Sequence, residues 1–427
     1  GMNGVSFRDG LPIMAYEVVA AIAMVFTAFV LLPKYLKSGI ATIPQFLEKR
    51  YDKSTKTIVS LLFLLGYAIS MLPTVLYSGA LAINTMFDVP ETLSVGPESA
   101  LWITVWSIGI IGSIYAIFGG LKAVAVSDSI NAVGLIIGGS LIPIFGLMFI
   151  GDGNVITGLN TLTTELPEKF NIIGGTDSDV PFWTLFTGMI IVNFYYWGTN
   201  QAIIQRALGA KNLKEGQKGL LLAAFIKILG PFIVVLPGII AFYIFNGDLA
   251  NADEAYPMLV KKVLPAAFIG FFAAVLFGAI LSSFNSALNS SVTLFGLDFY
   301  KEYFNKNATE KQVVRAGKIF GIVLALFSMA IAPLLYGVQG GIFTYLQELN
   351  GTHSVPILAI IIIGVFSKRV SGKAANIAIL FSVVTYLVTL YLIQPNISFL
   401  HLMGLLFVIT IIIMFVLSKF FPRKTAR

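Results

Sequence analysis

Eleven long apolar stretches, separated by connections that alternate between basic and acidic, constrain this 427-residue chain more than any other feature. A hydrocarbon core about 30 Å thick takes roughly 20 helical residues to cross, and these stretches are of that order or longer. They run over residues 12–33, 57–87, 100–118, 120–150, 181–207, 217–246, 266–296, 314–337, 340–366, 372–393 and 397–421. The pattern predicts an all-α polytopic membrane protein whose residues 1–427 form one transmembrane domain.

Charge orients it. One set of connections carries Lys34, Lys37, Lys49, Arg50, Lys53 and Lys56; Lys122; Arg206, Lys211, Lys214 and Lys218; Lys301, Lys306, Lys311, Arg315 and Lys318; Lys368, Arg369 and Lys373; and Lys419, Arg423, Lys424 and Arg427. That is 23 of the 28 Lys and Arg residues. The opposite connections hold Arg8, Lys169, Lys261 and Lys262 among acids such as Asp88, Glu98, Asp179 and Asp253. The positive-inside rule then puts residue 1 outside and Arg427 in the cytoplasm of a multi-pass cell-membrane protein. Only Lys227 fits neither side. The longest polar connection, 151–180, lies outside and is expected to hold a short amphipathic helix.

Composition excludes several classes. With 57% apolar and 11% charged residues the chain is too apolar for a soluble core of this size. Its net charge of +7 reflects topology and contact with anionic headgroups of the lipid bilayer, not nucleic acid. Zero cysteines removes disulfides, thiolate metal sites and cysteine catalysis. Phosphate-loop, nucleophile-elbow and zinc-helix motifs are absent from the sequence, and His353 and His401 are too far apart to form a local metal pair. No nucleophile–base pair supports an enzyme, and the two histidines read as helix-lining residues.

Polar residues inside hydrocarbon are costly, so they guide the search for a site. Lys227 sits about ten residues into its stretch, roughly 15 Å deep and beyond the reach of its own stem to the interface. It calls for a partner or a function. Glu17 lies one to two turns inside the outer edge of its stretch. Asp128 follows Lys122 by less than two turns, near the cytoplasmic end, where a structural cap and a functional acid are equally open readings.

Two stretches hold polar clusters that a plain spanning helix would not tolerate: 193–201, containing Asn193, Tyr196, Trp197, Asn200 and Gln201, and 347–354, containing Gln347, Glu348, Asn350 and His353. Both are expected to interrupt their helices and to line a cavity. Asn193 beside Tyr196 and Trp197 offers hydrogen bonds next to ring faces, as a sugar requires. In the seventh stretch Ala279, Ser282 and Ser283 are spaced i, i+3 and i+4, so one carbonyl and two hydroxyls share a helix face. Neutral hard oxygens suit a monovalent alkali cation; small-residue packing, as at Gly134 and Gly138, is the plainer alternative.

These runs resemble the sodium/solute symporters, most closely their bacterial sodium/galactose (sodium/glucose-type) branch. The likeness is carried by the run from Gly39 to Arg50, the run from Asn193 to Arg206, Ala279 with Ser282 and Ser283, and Tyr345 to Glu348, and it extends over essentially the whole chain. It implies the leucine-transporter-type fold of two inverted five-helix repeats, with residues 1–10 the remnant of a first broken helix, 11–150 the rest of repeat one, 181–366 repeat two and 372–421 two extra helices. On this reading the chain is N-terminally truncated, lacks carbonyls that complete the sodium site, and is not expected to transport as it stands.

The resemblance further implies sodium contacts at the Ala279 carbonyl and the Ser282 and Ser283 hydroxyls. Asp128 matches an acid on the sodium exit path or at a second sodium site, for which Ser286 is a further candidate. Solute contacts would come from Glu17, Asn193, Lys227 and Gln347. Met2, Tyr16 and Phe343 match an outer hydrophobic gate; Tyr196 matches the inner closure, with Trp197 beside it. The implied activity is sodium symport of a monosaccharide such as galactose or glucose, with sodium as coupling ion and no other cofactor. Where sugar-carrying relatives have Asn and Ser, this chain has Met71 and Ala20, which points to a different sugar or a polyol; Pro73 is expected to reshape the helix beside Met71. The alternatives are symport of an amino acid or small carboxylate, with Lys227 as its counter-ion, or a sensor that binds solute without moving it.

Overall fold

The structure, a computed structural model, describes residues 1–338 and 340–423, with backbone alone for 117–125. Lys122, Lys424 and Arg427, counted above in the charge pattern, lie outside the described residues. In chain order the helices are α1 Met2–Asp9, α2 Leu11–Lys37, α3 Ile43–Arg50 and α4 Lys53–Phe87. A helical backbone then runs over Pro97–Ile150, with α5 Pro97–Ala116 and α6 Val126–Ile150 as its two membrane-length parts. There follow α7 Val155–Glu165, α8 Gly188–Gly198, α9 Gln201–Leu208, α10 Leu213–Lys227, α11 Pro231–Ile244 and α12 Ala255–Val263. The last five are α13 Ala266–Phe304, α14 Glu310–Leu335, α15 Ile342–Phe366, α16 Gly372–Ile393 and α17 Phe399–Phe420.

Among the described residues nine helices are long and apolar enough to cross a membrane, and the bent pair α10–α11 raises this to ten. The remaining expected crossing, the fifth stretch, is split into α8 and α9 around its polar cluster. Side chains such as Ile22, Phe29, Ile130, Phe225 and Leu380 point outward and exposed, which is stable where the surrounding solvent is hydrocarbon.

Prolines shape the long helices. Pro33, Pro73 and Pro237 each follow a π-helical turn, over Thr27–Leu31, Tyr67–Met71 and Pro231–Val235 respectively. A proline ring clashes with the carbonyl four residues back and supplies no N–H, and widening the preceding turn relieves both. The expected distortion beside Met71 is therefore present.

The third and fourth stretches, expected as separate, run on in helical backbone, yet they behave as two spans. Gly112 of α5 lies against Leu281 and Phe284 of α13, while Asn131 of α6 donates to the Gly278 carbonyl at 3.0 Å. Nineteen residues of straight helix would separate these contacts by about 28 Å, whereas residues 278 and 281 lie one turn apart. Both parts therefore pack on the same length of α13, and Gly134 and Gly138 admit Val275 and Phe272 there as small-residue packing requires.

Ion pairs sort by end. Arg8–Asp179 and Lys261–Asp88 lie at one end; Lys53–Glu302, Lys56–Glu48 and Arg206–Asp128 lie at the other, which carries most of the basic residues. The 151–180 connection does contain a short helix, α7. Beyond it Lys169 donates to the Phe7 carbonyl at 3.2 Å over the Phe242 ring, clasping the end of α1, and burial pushes its ammonium pKa down.

Candidate functional site

The fifth stretch breaks at Thr199 and Asn200, between α8 and α9, as its polar cluster requires. Several of the backbone groups freed there find side-chain partners. Asn200 Oδ1 caps α9 by accepting from Ala202 N at 2.9 Å, and it also accepts from the Tyr67 hydroxyl at 2.8 Å. The Tyr35 hydroxyl donates to the Gly198 carbonyl at the end of α8, at 3.1 Å. Tyr35 and Tyr67 are fully buried or nearly so, which makes these bonds more valuable than in water. A sequence reading had no means to single them out among the 16 tyrosines.

The ninth stretch differs from expectation. Its polar cluster lies within one unbroken helix, α15, because neighbouring side chains satisfy it: Tyr386 donates to the Glu348 carbonyl at 3.0 Å, Ser70 reaches Asn350 at 3.4 Å, and Asn350 donates to Gln347 at 3.1 Å. His353 is buried edge-on to Tyr195, 5.4 Å between centroids, over the hydrogen face of Gly66. His401 meets Thr187 at 3.1 Å. Both histidines line helices, as expected.

Around the break lies a polar layer built from four helices. Lys227, the last residue of α10, holds both carboxylate oxygens of Glu17 at 2.7 Å. Glu17 lies in the first α-turn of α2 after the 3-10 turn Leu11–Met14, so each charge sits at the helix end whose dipole favours it. The α10–α11 stretch, expected as one span, bends by 47° just beyond Lys227. Pro231 supplies no N–H to the Lys227 carbonyl, and the chain tightens to Ile228–Phe225 and Leu229–Ile226 bonds. Lys227 Nζ also stands 5.2 Å from the centroid of Trp197, which meets Tyr196 edge-on. Lys227 thus has the partner its depth demanded.

Gly230 makes that pairing possible. A Cβ there would stand 2.2 Å from Glu17 Oε2 and 2.8 Å from its carboxyl carbon. Gly230→Ala is expected to cost about 1–3 kcal/mol through overpacking. A lowered thermal midpoint in detergent micelles checks this; an unchanged one means the carboxylate swings aside freely.

On the outer side of this layer Tyr16 meets Phe343 edge-to-face, 5.1 Å between centroids, with Gln347 beside the Tyr16 hydroxyl. Met2 packs against the main apolar core that also holds these rings. Asn193 is buried on α8 and its amide donates to the Met189 carbonyl at 3.0 Å. Met71 and Ala20 belong to the surrounding apolar wall, Ala20 one turn beyond Glu17. The fold therefore brings Glu17, Lys227 and Trp197 together, with Asn193 one turn from Trp197 on α8 and Gln347 beside Tyr16, the neighbour of Glu17.

Ala279, Ser282 and Ser283 form a second region. They line a cavity of about 900 Å³ between α6, α9 and α13, together with Asp128, Asn131 and Arg206. Among the described residues neither serine hydroxyl is hydrogen-bonded, whereas Ser286 and Ser291 on the same helix bond back to the carbonyls of Ser282 and Ala287. Two unpaired hydroxyls thus line the cavity beside Ala279, and neutral hard oxygens of this kind suit a sodium ion arriving as substrate. Arg206 pairs with Asp128 at 2.5 Å and contacts Ser286. Asp128 sits within the helical backbone rather than at a helix end, so the reading of it as a cap is corrected: its Oδ2 is held by Arg206 and, among the described residues, its Oδ1 is buried with no partner. Arg206 had been read only as a topological charge; its spacing from the break carried no sign of this pairing.

The sodium:solute symporter family model matches residues 1–382. The uncharacterized symporter YidK of Escherichia coli (strain K12) is 45% identical over 425 residues, covering 100% of this chain and 74% of that protein. A sodium/glucose cotransporter of Vibrio parahaemolyticus is 36% identical over 408 residues, covering 90% of this chain and 72% of that protein. In fold the chain is similar to a Na+-coupled sialic acid symporter in a substrate-bound outward-open state, with a TM-score of 0.83 at 21% identity, covering 99% of this chain and 86% of that one. The fold is accordingly the all-helical leucine-transporter type, and the chain, a multi-pass membrane protein, belongs to the sodium:solute symporter family.

Proposed function

We propose that the protein is a sodium-coupled symporter of a small neutral polar solute, a monosaccharide or a polyol, working by alternating access. The observation that carries this reading is the pairing of Lys227 with both oxygens of Glu17 inside a layer of amides and ring faces. The one deep cation is already neutralised, so the layer offers hydrogen bonds without net charge. That favours a hydroxylated ring over an amino acid or carboxylate, whose anion would have to displace Glu17 at the cost of a buried charge. Met71 and Ala20 remove two hydrogen-bonding positions, and an unpaired buried group on the ligand costs about 1–3 kcal/mol, which argues for a solute other than galactose.

In this reading Glu17, Asn193, Lys227 and Gln347 hold the solute, and Tyr16, Phe343 and Met2 close over it from outside. Tyr196 with Trp197 closes it from the cytoplasm. Sodium is held by Ala279, Ser282 and Ser283 and leaves past Asp128 and Ser286. The end rich in Lys and Arg faces the cytoplasm, by the positive-inside rule. Residues 11–150 and 181–366 serve as the main parts of the two repeats. Each sodium entering down about 100 mV supplies roughly 2.3 kcal/mol, enough to hold a solute gradient of about fifty-fold.

Uptake of labelled solute into vesicles containing the full-length protein should require a sodium gradient, and equal uptake without one refutes the coupling. A competition panel of hexoses, inositol, proline and short-chain acids identifies the class: competition by proline or an acid, and by no sugar or polyol, overturns the neutral-solute reading. Gln347→Ala should weaken solute affinity about tenfold, the effect of losing one or two hydrogen bonds, while sodium binding persists. Unchanged affinity would remove Gln347 from the site.

A further inference from the structure

Away from both regions, at the basic end, lies a buried polar cluster that the proposed transport cycle has not used. Asp298, on α13, is fully buried. Its carboxylate accepts from Thr42 Oγ1 at 3.1 Å and from Ser60 Oγ at 3.1 Å. Thr42 is also the N-cap of α3, accepting from Gln45 N, and Gln45 Oε1 in turn accepts from Ala41 N at 2.9 Å. The next two backbone groups belong to Gln201: its Oε1 accepts from Ile43 N at 2.7 Å and its Nε2 donates to the Ala41 carbonyl at 3.4 Å. Thr42, Ser60, Gln201 and Ile43 are all fully buried.

This segment is therefore linked, through two helices, to both regions of the site. Gln201 is the first residue of α9, directly after the break beyond Trp197. Asp298 lies on the same helix as Ser283, fifteen residues and about 22 Å along it. α9 and α13 are joined to each other by Ser290–Gln205 and Gln205–Thr293 bonds of 2.9 and 3.3 Å, so they form one unit. Residues 41–45, between α2 and α4, bridge to that unit through Asp298 and Gln201. A buried carboxylate held by two hydroxyls, with the buried Lys56 ammonium near it but bonded to Glu48, is a costly way to tie helices, and apolar packing would do it more cheaply. Hydrogen bonds, unlike packing, can be handed over to water when the segment parts.

We infer that Thr42, Asp298 and Gln201 form a latch that fastens residues 41–45 across the basic end of α9 and α13 and that must part for the protein to open toward that side. They are positioning residues: none touches solute or sodium. The inference rests on the symport reading for its purpose, but its test does not require transport.

The chain contains no cysteine, so Ile43→Cys introduces its one thiol under the latch. In full-length protein reconstituted in vesicles, this thiol should react slowly with a membrane-impermeant maleimide offered at the basic face, and sodium should slow it further by favouring the closed latch. Adding Thr42→Val or Asp298→Asn should raise the rate about tenfold, the factor for one lost hydrogen bond to a charge, and abolish the sodium effect. Thr42→Ser, which keeps the hydroxyl, should match the parent. If Thr42→Val labels at the parent rate, or Thr42→Ser labels as fast as Thr42→Val, the latch is refuted. Thr42→Val alone decides the matter should Asp298→Asn fail to fold. Sodium-driven uptake with no rise in labelling sinks the latch only; a rise in labelling in a parent whose uptake ignores sodium sinks the symport reading only.

Discussion

Removing both hydroxyls at 282 and 283 should abolish sodium dependence while leaving the fold intact. Neither hydroxyl is hydrogen-bonded to protein among the described residues, and both face the cavity beside Asp128, so Ser→Ala at each leaves no buried partner stranded. Each lost oxygen ligand to a cation is worth about 1.5–3 kcal/mol, so the double variant should weaken sodium binding by roughly two to four orders of magnitude. Sodium titration of solute binding, with choline as the control cation, measures this. Wild-type sodium affinity in Ser282→Ala/Ser283→Ala would place the ion elsewhere. A thermal midpoint within a few degrees of the parent is expected, which separates a ligand role from a structural one.

The second large effect concerns Lys227. Truncating it leaves Glu17 as an unpaired carboxylate at 6% side-chain exposure, deep in the protein. Breaking such a pair typically costs about 3–5 kcal/mol, and the partial exposure of Lys227 itself, 26%, puts the expected loss at the lower end. Lys227→Met should therefore lower the thermal midpoint sharply, and Glu17→Gln in the same chain should restore most of it by removing the stranded charge. Solute binding should not return, because the pair is also the proposed ligand contact. Equal midpoints for the single and double variants would show that Glu17 is solvated without its lysine.

The two experiments probe parts of the molecule that were legible from sequence to different degrees. Ala279, Ser282 and Ser283 share a helix face by spacing alone, and their orientation into one cavity follows from it. The depth of Lys227 predicted a partner, because hydrocarbon does not tolerate a lone ammonium; Glu17 is 210 residues away and no local pattern links the two. The polar run at Asn193–Gln201 marked a broken helix and that break exists, while the equally polar run at 347–354 did not break α15. The difference lies in Tyr386, Ser70 and the amides of α15 itself, which satisfy the second cluster in place. From its place in the chain Asp128 could be a cap or, by resemblance, an acid on the sodium path, and the cavity lining with its Arg206 contact places it beside Ser282 and Ser283.

By itself the sequence determined that the chain lives in a membrane as a bundle of spanning helices, and that Pro73 and the polar run at 193–201 disturb two of them. Those are consequences of hydrophobic period, length and backbone hydrogen bonding, all set within about twenty residues. The tertiary structure decided which buried charges neutralise each other, which glycine admits the Glu17 carboxylate, and how residues 41–45 reach α9 and α13. Such pairings join groups far apart in the chain, and burial makes each one strong only once the packing that excludes water has formed.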